Sequence, residues 1–541
     1  MKNRIARRIV GALFTLGLSA ATLVVRAAPL PFDDATIPQL QAAMASGKLT
    51  SEQLVKLCLA RISAFDRQGP DLHAIITLNP AALKEARALD AERRSKGPRS
   101  PLHGIPVLVK DNYNTVEMPT TGGSVLLEGS VPNSDASMVK RLRAAGAIIL
   151  AKMNLGEFAS GGFSSLGGQS HNPHDLTRTP AGSSGGTGVG IAAGYSPLGF
   201  GTDTGGSIRG PATVNGIVGL KPTHGLVSRE GIIPLSLSLD TGGPMARSVT
   251  DIAVALGQLT GVDPNDEATR KSEGKFQTDY TQYLNAEALK GARIGLVRDF
   301  MGYDTDVDWV MEAAVAAMRR AGATVIDVHY PKWFLDSYPQ INAEIYKTEF
   351  PAQLEEYLRK YTSAQYPKSL DELIDRANSH LGLGPNGQRP DPSRWAAFKQ
   401  QKDGPGFDDP KYRIIVDHYM PMARAVIESI LSDDKLDALV YPTGVRRPAL
   451  IAAPPLAPGA TNPDRSPTSV ANITGFPDLI VPAGFTGDAL PVGISFFGRA
   501  FSEPRLIALG YSFEQATHAR SRPVTTPTLP GSTVDFPTST H

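Results

Sequence analysis

Cysteine is almost missing from this chain. Its 541 residues include one, Cys58, so no disulfide can form within it and no thiolate cluster can hold a metal. Its stability must come from its core. Cys58 falls at helical spacing with Leu54 and Ile62, the setting of a packing residue rather than a reactive thiol. An excess of either charge is missing too. The 54 Lys and Arg against 53 Asp and Glu give a formal net charge of +1, so no broad basic surface of the kind nucleic-acid binding uses is implied. There is no phosphate loop ending in Gly-Lys-Ser or Gly-Lys-Thr. No metal-ligand spacing stands out: His171 and His174 are close, but Pro173 breaks any helix there and no carboxylate partner is at hand. No segment repeats in tandem.

One long apolar run is present, Ile9 to Val25. Lys2, Arg4, Arg7 and Arg8 precede it and Arg26-Ala27-Ala28-Pro29 follow it. A basic head, an apolar middle and small residues at the end form the layout of a secretory signal peptide, here residues 1–27. The other reading is an uncleaved membrane anchor, since the run is nearly long enough to span. Its Gly, Ser and Thr content and the Ala-Ala end favour cleavage. The expected location is therefore periplasmic or secreted, with no membrane span in the mature protein. The pair Arg7-Arg8 hints at twin-arginine export, although its flanks match poorly. Removing Lys2, Arg4, Arg7, Arg8 and Arg26 leaves 49 basic against 53 acidic residues, a mature net charge near −4.

With 41% hydrophobic and 20% charged residues, the remainder is ordinary soluble globular sequence with ample length for a large core. Helices are expected over 36–46, 50–65, with a Thr50/Gln53 capping box, and 80–96. Pro106 to Val109 reads as a buried strand, then 136–145 as helix and 147–150 as strand. Further strands are expected at 216–222, 293–297, 436–441, 479–481 and 492–496, and further helices at 248–259, 308–321 and 503–515. This recurrence of helix and short apolar run indicates α/β layering. Residues 331–432 are more aromatic, more charged and mostly helical, broken by a polar loop around 381–405. They read as an excursion beside the core. Residues 520–541 are rich in Pro, Thr and Ser and are expected to be disordered.

The densest cluster of small residues runs from Thr179 to Ser207. Two turns, Ala181-Gly182-Ser183-Ser184-Gly185-Gly186 and Thr202-Asp203-Thr204-Gly205-Gly206-Ser207, bracket an apolar run from Val189 to Phe200. Gly-rich turns let backbone N–H groups converge on an anion or oxyanion. Gly182-Ser183-Ser184-Gly185-Gly186 also satisfies the G-x-S-x-G nucleophile pattern with Ser184 at its centre. That pattern needs a core strand directly before it, and Leu176 to Pro180 is not one. The downstream histidines also have no distinctive setting. Lys110 is the better partner for a serine. It ends an apolar strand, where it either snorkels to water or sits desolvated. As a base near pH 7 it needs its pKa lowered by about 3 units, worth about 4 kcal/mol, which burial can supply. Asp203 and Arg209 flank the second turn, either as a substrate-carboxylate site or, as we favour, as a buried ion pair supporting the turn.

Five blocks resemble the amidase signature family: Gly104-Ile105-Pro106 with Lys110-Asp111-Asn112; Gly182 to Gly186; Gly201 to Arg209; Gly219-Leu220-Lys221-Pro222-Thr223; and Gly243-Pro244-Met245-Ala246-Arg247. They occur in the family's order across most of the mature chain. Pro31-Phe32, Leu102-His103 and Gly167 to Pro173 look most like bacterial peptide amidases, which deamidate C-terminal peptide amides. The resemblance implies a single amidase domain over 28–519 with the α/β amidase signature fold, a large mixed central β-sheet covered by helices on both faces. It implies a Ser-cisSer-Lys triad: Ser207 as nucleophile, Ser183 as relay after a cis peptide bond, and Lys110 as base. The oxyanion hole would fall on the backbone N–H groups of Thr204, Gly205 and Gly206. No cofactor, no metal and no obligate protein partner is implied, and the substrate would be a small-molecule or short peptide amide. Ala181 stands where the family often has Gly, and Thr187 where Ser is common. Neither touches a proposed reacting group. An aryl-acylamidase or esterase would use the same triad. A cytosolic amidotransferase component shares the family, but the leader argues against it, and a simple anion-binding protein has no need of the trio.

Overall fold

The computed structural model describes residues 30–379, 392–452 and 466–536. The leader 1–27 and the end of the tail, 537–541, lie outside the described residues. The opening helices follow their capping residues. Thr36 and Gln39 form a capping box on Ile37–Ala45, and Thr50 and Gln53 one on Ser51–Phe65. The second helix buries Leu54, Cys58 and Ile62, the stripe that its spacing predicts.

Fifteen strands are described, in chain order β1 Leu30–Pro31, β2 Ile75–Leu78, β3 Pro106–Lys110, β4 Ile148–Met153, β5 Phe163–Ser164, β6 Gly168–Gln169, β7 Leu198–Asp203, β8 Val218–Lys221, β9 Thr241–Ala246, β10 Arg293–Val297, β11 Thr324–Val328, β12 Ala438–Pro442, β13 Asp478–Phe485, β14 Pro491–Phe497 and β15 Thr533–Val534. Eleven form one mixed sheet, in the order β11-β10-β12-β14-β13-β8-β9-β7-β3-β4-β2. β3 runs parallel to both β7 and β4, with Val109 beside Phe200. The C-terminal ends of β3 and β7 therefore meet at one edge, where ligands bind in open α/β sheets. Both faces are covered. Along β12, Ala438 and Val440 enter one core cluster while Leu439 and Tyr441 enter another, as the two-residue period of a strand requires.

The run between the two Gly-rich turns divides into a helix, Gly185–Ala192, and β7. Gly-rich sequence is a poor helix former, and packing overrides it here. A Cβ at Gly190 would lie 2.8 Å from Met153 Cε and 2.9 Å from Leu108 Cδ1, so only glycine lets this helix lie so close to the sheet. β2, β9 and β11 have no counterpart in the sequence reading. β2 and β11 end the sheet and are only partly buried. β9 reads Thr-Gly-Gly-Pro-Met-Ala, and its Pro244 lies opposite Phe200 in the sheet interior, a position where proline is rare.

Among the described residues of 331–432 most are helical, in Lys332–Tyr361, Leu370–Ser379, Pro392–Gln401, Pro410–Ile414 and Met420–Asp433. The polar loop expected around 381–405 is corrected at 392–401, which is helix; 380–391 lie outside the described residues. Phe398 from that helix stacks on Phe350 at 5.6 Å and meets Phe158 edge-on at 5.2 Å, which gives the segment its own apolar anchor. The tail is also corrected. Residues 520–536, expected to be disordered, run along the body. Arg61, fully buried, donates to the carbonyls of Thr526 (2.9 Å) and Pro527 (3.0 Å). Arg522 pairs with Asp33 at 3.1 Å, and β15 pairs antiparallel with β1. A buried guanidinium needs acceptors, and tail carbonyls supply them whatever the side chains.

Candidate active site

Lys110 ends β3 with its side chain fully buried. Its Nζ lies 2.6 Å from Ser183 Oγ and 2.8 Å from Thr202 Oγ1, with the Thr202 carbonyl at 3.4 Å. Asn112 Nδ2 donates to the same Thr202 hydroxyl at 3.1 Å. No carboxylate lies within ion-pair distance of Lys110 among the described residues. Burial pushes its pKa down to about 7, against the opposing pull of Asp203 and Asp240. The side chain is thus desolvated rather than snorkelling to water.

Ser183 is buried and follows a cis peptide bond from Gly182. Its neighbour Ser184 is fully buried. Its hydroxyl donates to the Thr202 carbonyl at 3.2 Å and accepts the Thr202 N–H at 3.3 Å. That ties it to the β7 backbone, and it presents no free nucleophile. The two Gly-rich turns are joined by the Ser184 N–H donating to the Ser207 carbonyl at 3.2 Å. Ser207 is partly exposed, and its hydroxyl makes no hydrogen bond among the described residues. Ala181 sits at φ 58°, the left-handed region that favours glycine, and Thr187 Oγ1 is buried without a partner among the described residues.

The turn from Thr204 to Ser207 is held from several sides. The Asp203 carboxylate accepts the N–H groups of Gly206 (2.8 Å) and Ile208 (2.9 Å) and the guanidinium of Arg209 (2.9 and 3.1 Å). Arg209 also reaches Asp478 at 2.9 Å and Asn472 Oδ1. Burial alone would raise the Asp203 pKa, but Arg209 and the hydrogen bonds hold it well below the usual carboxylate range. Asp203 and Arg209 form the buried scaffold favoured above, and Arg209 has no exposed face to offer a substrate.

Gly206 is a correction. Its N–H is committed to Asp203, so it is not a free oxyanion donor. The N–H groups of Thr204 and Gly205 have no acceptor among the described residues. Their peptide planes are held from the carbonyl side: Asn472 Nδ2 donates to the Asp203 carbonyl at 3.3 Å and Tyr346 OH to the Thr204 carbonyl at 3.2 Å, while Thr468 Oγ1 holds the next plane through the Gly205 carbonyl at 2.7 Å. In a trans peptide, C=O and N–H point in opposite directions, so the Tyr346 contact aims the Gly205 N–H away from itself. Thr204 Oγ1 donates to Asp240 Oδ1 at 2.5 Å, and Asp240 Oδ2 accepts the N–H groups of Leu235 (2.8 Å) and Ser236 (2.9 Å). Burial raises the Asp240 carboxyl to about 6. A small cavity of about 10 Å³ adjoins this cluster, lined by Asn112, Thr202, Thr204, Leu235 and Asp240 among others.

Thr202, Asp240, Tyr346 and Thr468 carry no role in the sequence reading. Thr202 lay inside a recognised block. The other three come from separate elements that only folding brings to the turn. Tyr346 belongs to the helix Lys332–Tyr361, which also caps the Leu237 and Ser238 N–H groups with Gln353 (2.8 Å) and Glu349 (3.1 Å). His171 and His174 are structural: each ring faces a backbone carbonyl, of Leu176 (2.8 Å) and Asn215 (3.2 Å).

Fold and site together define a class, the hydrolases of amide C–N bonds. Within it the chain belongs to the amidase family, whose model matches residues 53–507. Among solved structures it is similar to native peptide amidase from Stenotrophomonas maltophilia. The identity is 40% and the TM-score 0.81, with 92% of this chain and 100% of that chain covered. A peptide amidase in complex with the competitive inhibitor chymostatin matches at 40% identity and a TM-score of 0.80, over 91% of this chain and 99% of that one. Among curated proteins, a probable amidase of Arabidopsis thaliana is 34% identical over 534 residues, 95% of this chain and 96% of its own length. A glutamyl-tRNA(Gln) amidotransferase component of Cupriavidus metallidurans is 34% identical over 511 residues, covering 90% of this chain and 98% of its own length.

Proposed function

We propose that this protein is an exported amidase that converts the C-terminal amide of short peptides to the free acid and ammonia through an acyl-enzyme on Ser207. The observation that carries the reading is the 2.6 Å contact between a fully buried, acid-shifted Lys110 and Ser183. A neutral amine there accepts the Ser183 proton while Ser183 accepts that of Ser207. Ser207 Oγ then attacks the amide carbonyl carbon. The negative charge on the carbonyl oxygen is stabilised by the Thr204 and Gly205 N–H groups, preorganised donors that need not reorient. The tetrahedral centre collapses, the C–N bond breaks, and the proton held by Lys110 returns along the serines to the departing nitrogen as ammonia leaves. Water, deprotonated by the same relay, attacks the acyl carbon and frees the acid and Ser207.

The likeness to peptide amidase supports the substrate class. The basic head and apolar run of residues 1–27 support export, and among the described residues no helix is long and apolar enough to cross a membrane. The test is a side-by-side assay of the mature protein on a peptide amide, an aliphatic amide, an anilide and an ester. The peptide amide is expected to have the highest kcat/KM, and Ser207→Ala to abolish turnover on all four. A faster anilide or ester overturns the substrate class, and full activity in Ser207→Ala overturns the mechanism. Fractionation of the host organism tests export: mature protein retained in the cytoplasm refutes it.

A further inference from the structure

Away from the catalytic edge, a cavity of about 360 Å³ opens between the C-terminal end of the short helix Ser469–Thr474, the N-terminal part of Met420–Asp433 and the segment around Lys271. Its wall has two chemistries. Val416, Met420, Phe476 and Phe501 give one apolar side, and Lys271 and Arg424 give the other a double positive charge.

Among the described residues neither cation forms an ion pair within 4.0 Å, although Asp266 and Glu428 act on them from farther away. Lys271 makes no ion pair or hydrogen bond among the described residues. Arg424 spends only its Nε, on the Thr474 carbonyl at 2.9 Å, which leaves its two terminal nitrogens for the cavity. The nearby acids are occupied or turned elsewhere. Asp266 is bound by Arg229, and Glu503 accepts the Thr223 N–H at 2.6 Å. Glu428, one turn beyond Arg424, forms no ion pair with it within 4.0 Å among the described residues. Burial and the charges of Arg424 and Arg229 depress the Lys271 pKa, with Asp266 opposing. His224, also in the wall, is held neutral by burial and Arg229. Two like charges sharing one partly desolvated cavity repel each other, and a ligand of opposite charge removes that cost. A bare inorganic anion satisfies the cations and leaves the apolar wall wet. An anion with an apolar body satisfies both.

We propose that this cavity is a binding site for an organic monocarboxylate. The carboxylate sits between Lys271 and the terminal nitrogens of Arg424, and the hydrocarbon body lies against Met420, Phe476 and Phe501. The site is independent of the catalytic reading and shares no residue with it.

The test is calorimetric titration of the mature protein with hexanoate, with 1-hexanol and inorganic phosphate as controls for the body and the charge. Hexanoate is expected to bind at one site per chain more tightly than either control. Lys271→Gln, which replaces an exposed side chain that makes no hydrogen bond among the described residues, is expected to weaken hexanoate at least tenfold. Arg424→Lys keeps a charge but loses the planar fork and is expected to weaken it by a similar factor. Hexanoate affinity unchanged in Lys271→Gln overturns the site, because binding of the acid at the catalytic centre would not involve Lys271. Phosphate binding as tightly as hexanoate overturns the ligand class.

Discussion

If Lys110 is the base, the rate of amide hydrolysis must follow the protonation of one buried amine. With the ordinary lysine pKa of 10.5, only about 0.03% of the side chain would be neutral at pH 7; shifted to about 7, close to half is neutral. That is roughly a thousandfold more base, and its structural cause is burial with no carboxylate in contact. The expected kcat/KM profile, read from ammonia release, falls tenfold per unit on the acid side of about pH 7 and flattens above it. Stability also rises with pH, but over a higher range. Between pH 7 and 10.5 the unfolded chain holds a proton on Lys110 that the folded chain lacks, so raising pH stabilises the fold. The cost of burying the amine is fully present below pH 7, at about 5 kcal/mol, and gone above 10.5. Lys110→Met removes that cost and loses two hydrogen bonds, each worth about 1 kcal/mol. It should therefore be inactive yet about 2–3 kcal/mol more stable than wild type at pH 6, with the advantage shrinking as pH rises. Denaturant unfolding of both proteins at pH 6, 8 and 10 measures this. A stability difference that does not change with pH, or an acid limb near pH 10, refutes the reasoning.

Three further variants probe the turn. Tyr346→Phe removes the donor to the Thr204 carbonyl; a loss of about 1 kcal/mol of transition-state stabilisation predicts roughly a fivefold fall in kcat with KM nearly unchanged, in steady-state kinetics. Gly206→Ala places a Cβ 2.4 Å from Thr468 Oγ1 at a residue with φ of 127°, so it should displace the turn and abolish activity while circular dichroism shows the sheet intact. Arg209→Met leaves Asp203 and Asp478 buried without their partner. It should cost about 3–5 kcal/mol of stability in denaturant unfolding, where a substrate-binding arginine would change KM instead.

The central strands and long helices were legible because their apolar runs and caps are local. The proposed trio came from blocks of residues rather than periodicity, and the structure brings two of its members, Lys110 and Ser183, into contact across 73 positions of sequence. β9 was hidden by its glycines and proline, which mark turns elsewhere but here pack inside the sheet. Asp240, Tyr346 and Thr468 were hidden for another reason. Tyr346 and Thr468 act by holding a carbonyl on a distant segment and Asp240 by holding the Thr204 hydroxyl, and no sequence pattern records which group each will meet. The tail misled by composition. Its Pro, Thr and Ser content reads as unstructured, whereas its role is to offer backbone carbonyls to Arg61 and an edge to β1.

That pairing of β1 with β15 has a bearing on the order of assembly. The strand made first among the described elements waits, unpaired, until the one made last has been synthesised, because β15 is its only strand partner among the described residues. The central sheet can close without it, since its strands end at Phe497. Folding of the growing chain therefore ends with a separate docking event. A chain that stops just short of Thr533 should keep its central sheet and the Thr526 and Pro527 carbonyls that Arg61 uses, while leaving β1 without its strand partner. Such a chain would be recognised by proteases before its activity failed.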